Sequence, residues 1–132
     1  MNRAEELAGR MIGSRDGDFV IAEWADEGGG SDPPLLIAPL HVHHEDDEAW
    51  YVLEGTLAFR VDDEEIEAGA GSAVVVPAGT PHAYWNPRPE GARYLLVMTP
   101  RIARLIEALH AGPGDSETFR RIFREHESEL LP

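Results

Sequence analysis

Four of the six histidines fall in two places, the run His41-Val42-His43-His44 and the separate His82. His41 and His43 are two residues apart at the end of a predicted strand, so both imidazoles project from one face while Val42 and His44 point the other way. Glu48 opens the next predicted run, and a turn through His44-Glu45-Asp46-Asp47 returns its carboxylate toward the same centre. A later strand brings His82. Three imidazoles and one carboxylate, in a chain with no Cys, suit one divalent transition metal (Fe, Mn, Ni, Cu, Co or Zn) held without thiolates.

His82 lies inside a longer pattern. From Gly71, five residues lead to Pro77, one to Gly79, two to His82 and three to Asn86. With the chain's own frequencies of these residue types, a chance match to all five positions is on the order of 10⁻⁴. Gly71 permits a tight turn before an apolar strand, Pro77 and Gly79 build the next turn, and His82 is delivered at the start of the following strand.

The elements that must position these groups are mostly strands. Asp18 to Trp24 reads as a strand, closed by the turn-rich stretch Asp26 to Pro34, which is expected to be a flexible surface loop. Between Leu35 and Thr99 short β-like runs follow one another: Leu35–Val42, Ala49–Leu53, Thr56–Val61, Ala73–Val76, His82–Trp85 and Arg93–Met98. Turn signals separate them, and Leu57, Phe59 and Val61 alternate with Ala58 and Arg60, the period of a half-buried strand. The fold class is all-β, an antiparallel domain whose strand spacing is that of barrels and sandwiches. Two C-terminal helices follow. Ile102, Leu105, Ile106 and Leu109 form one helical stripe ended by Gly112-Pro113-Gly114; Asp115 or Ser116 caps a second helix with Phe119, Ile122, Phe123 and Leu130 as its apolar face. The first twelve residues carry only a weak helical hint, Leu7 and Met11 being four apart. The expected organisation is an arm over 1–17, the β domain over 18–100, and a helical extension over 101–132 that packs on the barrel or lies at a dimer contact.

Parity places further side chains. Trp50 and Val52 share Glu48's face and Tyr84 shares His82's, so they point into the barrel beside the metal, with Leu57 and Phe59 joining them either as pocket wall or as core filling. His110 and His126 read as helix-surface residues. The acidic runs Glu45-Asp46-Asp47 and Asp62-Asp63-Glu64-Glu65 lack the ligand spacing of a calcium loop and read as solvated turns.

Composition sets the outer bounds. A length of 132 residues with 42% hydrophobic content fits one globular domain. An excess of 25 acidic over 11 basic residues, a net charge of -14, repels a phosphate backbone, so no nucleic-acid partner is expected. Apolar runs such as Ala73-Val74-Val75-Val76 are far too short to span a bilayer, and Met1-Asn2-Arg3-Ala4-Glu5-Glu6 shows no apolar signal region, so no membrane is expected and the expected compartment is the cytoplasm.

With these residues in place, the sequence resembles the cupin superfamily, in particular its small, single-domain, quercetin-dioxygenase-like members. The first motif of that family matches His41-Val42-His43, then Glu48, then Gly55, with Ala49-Trp50-Tyr51-Val52-Leu53-Glu54-Gly55 similar to the strand that closes it. The second matches Gly71, Pro77, Gly79, His82 and Asn86. Leu35, after Pro33-Pro34, stands where the family has Gly six residues before His41. The resemblance covers about residues 18–100 and implies a small antiparallel β-barrel, a jelly roll, holding one divalent metal ion inside it through His41, His43, Glu48 and His82. It implies a dioxygenase-like oxidoreductase acting on a small aromatic or enol-type compound, in which Glu48 also serves as a base and Tyr84 orients the substrate. A non-catalytic metal or small-molecule binding module, and a metal-dependent isomerase or decarboxylase, are the alternatives. The expected partners are a small-molecule ligand and a second copy of the chain in a homodimer, joined by an edge strand or by the Phe119-Ile122-Phe123 face.

Overall fold

The computed structural model describes residues 4, 6, 7, 9–13 and 16–132. In chain order the strands are β1 (Met11–Gly13), β2 (Val20–Asp26), β3 (Leu36–His43), β4 (Glu48–Glu54), β5 (Thr56–Val61), β6 (Glu64–Gly69), β7 (Ala73–Val76), β8 (His82–Trp85) and β9 (Ala92–Met98). Helices α1 (Pro100–Ala111) and α2 (Ser116–Glu125) and a last strand, β10 (Ser128–Leu130), complete the chain. The strands form two five-stranded antiparallel sheets, ordered β1-β2-β9-β4-β7 and β10-β3-β8-β5-β6. They make a cupin-like jelly roll, but the two sheets do not join into a closed barrel, so the barrel expected from the sequence is two layers instead.

Alternation explains the core. In β4, Glu48, Trp50 and Val52 point inward, and in β9 so do Ala92, Tyr94, Leu96 and Met98. Leu57 and Phe59 of β5 and Tyr84 of β8 meet them from the other sheet, and all are buried. Burying side chains of this size stabilises the fold by roughly 1.5–3 kcal/mol each, which locks the register that also aims the histidines.

The turns follow from local chemistry. Gly55, with φ 77, joins β4 to β5, and a Cβ there would lie 2.5 Å from the Gly91 carbonyl oxygen. Only glycine fits that turn without moving backbone. The stretch read as a flexible surface loop is tied down instead: Gly29 N–H donates to the Arg88 carbonyl (2.7 Å) and Gly30 N–H to that of Asn86 (3.2 Å). A Cβ on Gly29 would fall 2.1 Å from the Asn86 oxygen. Asn86 itself is buried, donating to Asp26 (3.1 Å) and the Glu90 carbonyl (2.8 Å) and accepting from Arg88 N–H (2.9 Å), so the last position of its motif organises this corner.

Three expectations change. Asp62-Asp63-Glu64-Glu65 is a turn only at Asp62-Asp63; Glu64 and Glu65 begin β6, an acidic edge strand held by pairing to β5. Its charge hides it from a hydrophobic reading and also discourages edge-to-edge association. Leu130 belongs not to the second helix but to β10, which pairs with β3. Of the weak N-terminal helix, Met11 opens a strand, the other described positions are not helical, and the rest lies outside the described residues.

The helices begin as capping predicts. Thr99 accepts the Ile102 N–H ahead of Pro100 in α1, and Asp115 accepts the Thr118 N–H (2.8 Å) in α2. Ile102 and Ala103 pack onto the core between the sheets, while Leu105 packs with Ile122 and Phe123 of α2. The Ile122–Phe123 face is therefore spent inside the chain. Among the described residues no helix is long and apolar enough to cross a membrane.

Candidate metal centre

Three histidines come from one sheet and the carboxylate from the other. His41 and His43 lie on β3, His82 faces His41 across the β3–β8 pairing, and Glu48 opens β4 in the opposite sheet. All four are buried, and one donor atom from each lies within 4.8 Å of the others. His41 Nε2 is 3.2 Å from His43 Nε2, and Glu48 Oε1 is 3.3 Å from His43 Nε2 and 3.1 Å from His82 Nε2. Donors sharing one ion at about 2.1 Å lie about 3.0–3.4 Å apart for angles between 90° and tetrahedral, so these spacings fit a common cation.

Backbone geometry aims the rings. Pro39 cannot donate within the sheet, the β3–β8 register slips there, and its free carbonyl lies 2.6 Å from His41 Nδ1. The Thr80 carbonyl lies 2.9 Å from His82 Nδ1. A carbonyl only accepts, so both Nδ1 atoms carry the proton and both Nε2 lone pairs turn toward Glu48 and His43. Burial, and then the neighbouring His82 and His43, hold His41 down at about 3, so it is neutral at physiological pH. Burial alone would push the Glu48 carboxyl up; contact with His43 and His82 outweighs it and brings Glu48 to about 2, a carboxylate. Lone pairs and a carboxylate converging in a buried space repel one another unless a proton or a cation sits among them. That donor set fits one divalent transition metal, in agreement with the ligand group read from the sequence.

A chamber of about 360 Å³ opens onto His41, His43 and Glu48. Trp24, Trp50, Tyr84, Tyr94 and Leu96 line it from the sheets, and Ile102, Leu105, Ile106, Leu109, His110 and Phe123 from the helices. Trp50 and Tyr84 stand where parity put them. Val52, Leu57 and Phe59 are fully buried behind that wall and do not line it; Phe59 stacks on Tyr84 at 5.5 Å and meets Trp50 edge-on at 5.1 Å. Trp50 in turn packs edge-on against His82 at 5.7 Å.

Several residues at the site escaped the sequence reading. Tyr94 places its hydroxyl 3.0 Å from that of Tyr84, and its parity with Leu96 and Met98 was the available signal. Phe123 meets the His41 ring edge-on at 5.6 Å. Ser128 Oγ lies 2.7 Å from His43 Nδ1, a contact across 85 positions with no local signature. His110, read as a helix-surface residue, is exposed but borders the chamber, and His126 caps α2 with Nδ1 2.7 Å from the Ile122 carbonyl. His44 faces solvent beside Glu129 at 3.5 Å, as its parity required.

A family model described as Cupin domain matches residues 28–98. The chain is similar to quercetin 2,3-dioxygenase of Bacillus subtilis (strain 168), with 44% identity over 46 residues, 35% of this chain and 14% of that one. Among solved structures it is similar to a sugar phosphate isomerase of the cupin superfamily from Silicibacter pomeroyi, with a TM-score of 0.54 and 28% identity over 63% of this chain and 51% of that chain. The cupin domain of Schizosaccharomyces pombe Cnp3 has a TM-score of 0.58 over 83% of this chain and 70% of that chain, and at 15% identity it attests the fold alone. The chain thus spans 14% of the length of the dioxygenase and about half of the isomerase, 51%.

Proposed function

The chain belongs to the cupin domain family, and on that premise we propose that it is a metal-dependent oxidoreductase of the dioxygenase kind, acting on a small aromatic or enol-type compound bound beside His41, His43, Glu48 and His82. The observation that carries this reading is the chamber wall. Apart from His41, His43, Glu48 and His110 its lining is aliphatic and aromatic, and among the described residues it includes no Lys or Arg. A phosphate drawn into it would find no Lys or Arg, only the metal and the exposed imidazole of His110 at the border, which weighs against the sugar-phosphate chemistry named for the isomerase. An uncharged ring of modest size fits a volume at the lower end of the roughly 300–1,000 Å³ typical of ligand pockets.

When bound, Fe, Mn, Ni, Cu or Co would supply Lewis acidity and access to oxygen chemistry, and Zn Lewis acidity alone. The residues of the chain hold and orient the substrate. The Tyr84 and Tyr94 hydroxyls have two protons between them; one closes their mutual hydrogen bond and the other is free to donate to a substrate oxygen. Burial raises Tyr84 well above the ordinary tyrosine range and Tyr94 to about 12, which keeps both as donors at neutral pH. The neighbouring His43 and His82 hold Glu48 low against its burial, so in this reading it is a carboxylate that serves the cation first and is a weak base toward substrate. The two sheets and helices α1 and α2 wall the chamber with apolar side chains on the sides away from its mouth.

A homodimer and a cytoplasmic location remain part of the proposal. The outer face of the first sheet supports the dimer, since Ala49 pairs with both Val97 and Val75 and a row of outward apolar side chains results, with Tyr51 alongside. Light scattering reads the state directly: a monomer mass removes the dimer.

The decisive experiment is elemental analysis of protein purified without chelator, followed by oxygen-electrode assays with catechols, β-diketones and flavonols. One Fe, Mn, Ni, Cu or Co ion per chain with oxygen uptake on a member of the panel supports the proposal. Stoichiometric Zn with no uptake across the panel overturns it in favour of a binding module.

A further inference from the structure

The third imidazole is aimed differently from the other two. His41 and His82 each donate Nδ1–H to the backbone carbonyl two residues before them, but His43 Nδ1 faces a side chain from the far end of the chain, Ser128 Oγ at 2.7 Å. A serine hydroxyl both donates and accepts, so this contact alone leaves the His43 tautomer open. A second contact favours one tautomer. Ser128 Oγ lies 3.1 Å from the His126 carbonyl oxygen, and a carbonyl can only receive a proton. Serine has one proton; with it given to His126, Oγ keeps only its lone pairs for His43, and in that arrangement Nδ1 donates and Nε2 is bare.

We propose that Ser128 is a positioning residue that sets the tautomer of His43 and so makes its Nε2 the metal-facing atom, coupling the C-terminal strand to the metal centre. The inference rests on the metal reading of the His41, His43, Glu48 and His82 group. The backbone of β10 is built for the task. Ser128 pairs with His43 and Leu130 with His41, His44 N–H donates to the Glu127 carbonyl (2.9 Å), and Leu131 N–H donates to the Leu40 carbonyl (3.0 Å). Ser128 is buried while its neighbour Glu129 is exposed, so the inward side of this short strand delivers one hydroxyl to one ring. Outer partners that orient a ligating histidine typically change metal affinity by about 10- to 100-fold when removed.

The test compares wild type, Ser128→Ala and Glu129→Ala with Zn²⁺ as the probe, chosen because it is diamagnetic. Zn²⁺ affinity is measured by chelator competition, and the His43 ring of ¹⁵N-labelled, Zn²⁺-loaded protein by two-bond ¹H–¹⁵N correlation. Expected are a wild-type His43 with a protected Nδ1–H and a coordinated Nε2, a Ser128→Ala protein whose Zn²⁺ dissociation constant rises about 10- to 100-fold with loss of the protected Nδ1–H, and a Glu129→Ala protein like wild type in both readouts. Coordination of wild-type His43 through Nδ1, or a Ser128→Ala protein unchanged in affinity and ring signals, overturns the proposal. So does an equal loss in Glu129→Ala, which would assign the effect to the strand and not to the hydroxyl. Failure of wild type itself to bind Zn²⁺ overturns the metal reading beneath it and is distinguished by that result alone.

Discussion

The Tyr84–Tyr94 hydroxyl pair offers a measurable link between the chamber and the stability of the fold. In Tyr84→Phe or Tyr94→Phe the ring stays and no core volume is lost, so the substitution isolates one oxygen. The surviving hydroxyl, on a residue 5% or 3% exposed, then loses its 3.0 Å partner. Orphaning a buried polar group costs about 1–3 kcal/mol; both side chains border the chamber, where water can take the lost partner's place, so the expected cost lies near the lower end of that range. The double variant removes both oxygens and leaves none unpaired, so its cost falls below the sum of the singles, with a coupling of about 1 kcal/mol. At about 2.1 cal/mol/K of unfolding entropy per residue, a chain of 132 residues shifts its Tm by about 3.6 °C per kcal/mol. Each single variant should therefore melt about 4–7 °C lower, and the double variant about 4 °C above the Tm that the summed single losses would give. Thermal unfolding by circular dichroism with a parallel urea titration reads both. Single variants within about 0.3 kcal/mol of wild type, or strictly additive losses, would refute the pairing and with it the free donor assigned to the chamber.

The alkaline limb of stability should report Tyr94 separately. Its pKa is raised by burial to about 12, so its contribution is complete below the unfolded tyrosine value near ~10 and is lost as pH rises from there through about 12; Tyr94→Phe should flatten urea midpoints over that window, and an unchanged slope would remove tyrosine burial as the cause. His82→Ala should take bound metal from one ion per chain toward none while far-ultraviolet circular dichroism stays that of the wild-type sheets, and full occupancy in that variant would remove His82 from the ligand group. Thr99→Ala removes the hydroxyl that accepts the Ile102 N–H at 3.2 Å, and the loss of this cap should lower stability by about 1 kcal/mol, seen as a denaturant midpoint shift without a change in slope.

The site was more legible than its surroundings because its ligands are close in sequence or marked by turns. His41 and His43 share a face by strand parity, and Glu48 is carried back after a four-residue turn. His82 is announced by Pro77 and Gly79. The strands with apolar alternation were readable for the same reason, since burial on one side writes itself into every second residue. β6 was not, because Glu64, Glu65 and Glu67 are exposed and the strand is held by backbone pairing to β5. β10 was not, because three residues carry no period; its pairing with β3 creates the strand.

The sequence by itself determined the donor types, the inward face of the strands with apolar alternation and the helical stripe of Ile102, Leu105, Ile106 and Leu109, since these depend on side-chain chemistry and on fixed local periods. The tertiary structure alone decided what that stripe covers, that Val52, Leu57 and Phe59 fill the core while Tyr94 and Phe123 shape the chamber, and that Ser128 meets His43. Such contacts join positions far apart along the chain. Their geometry is set by how two sheets and two helices pack at once, and no local pattern of residues encodes that sum.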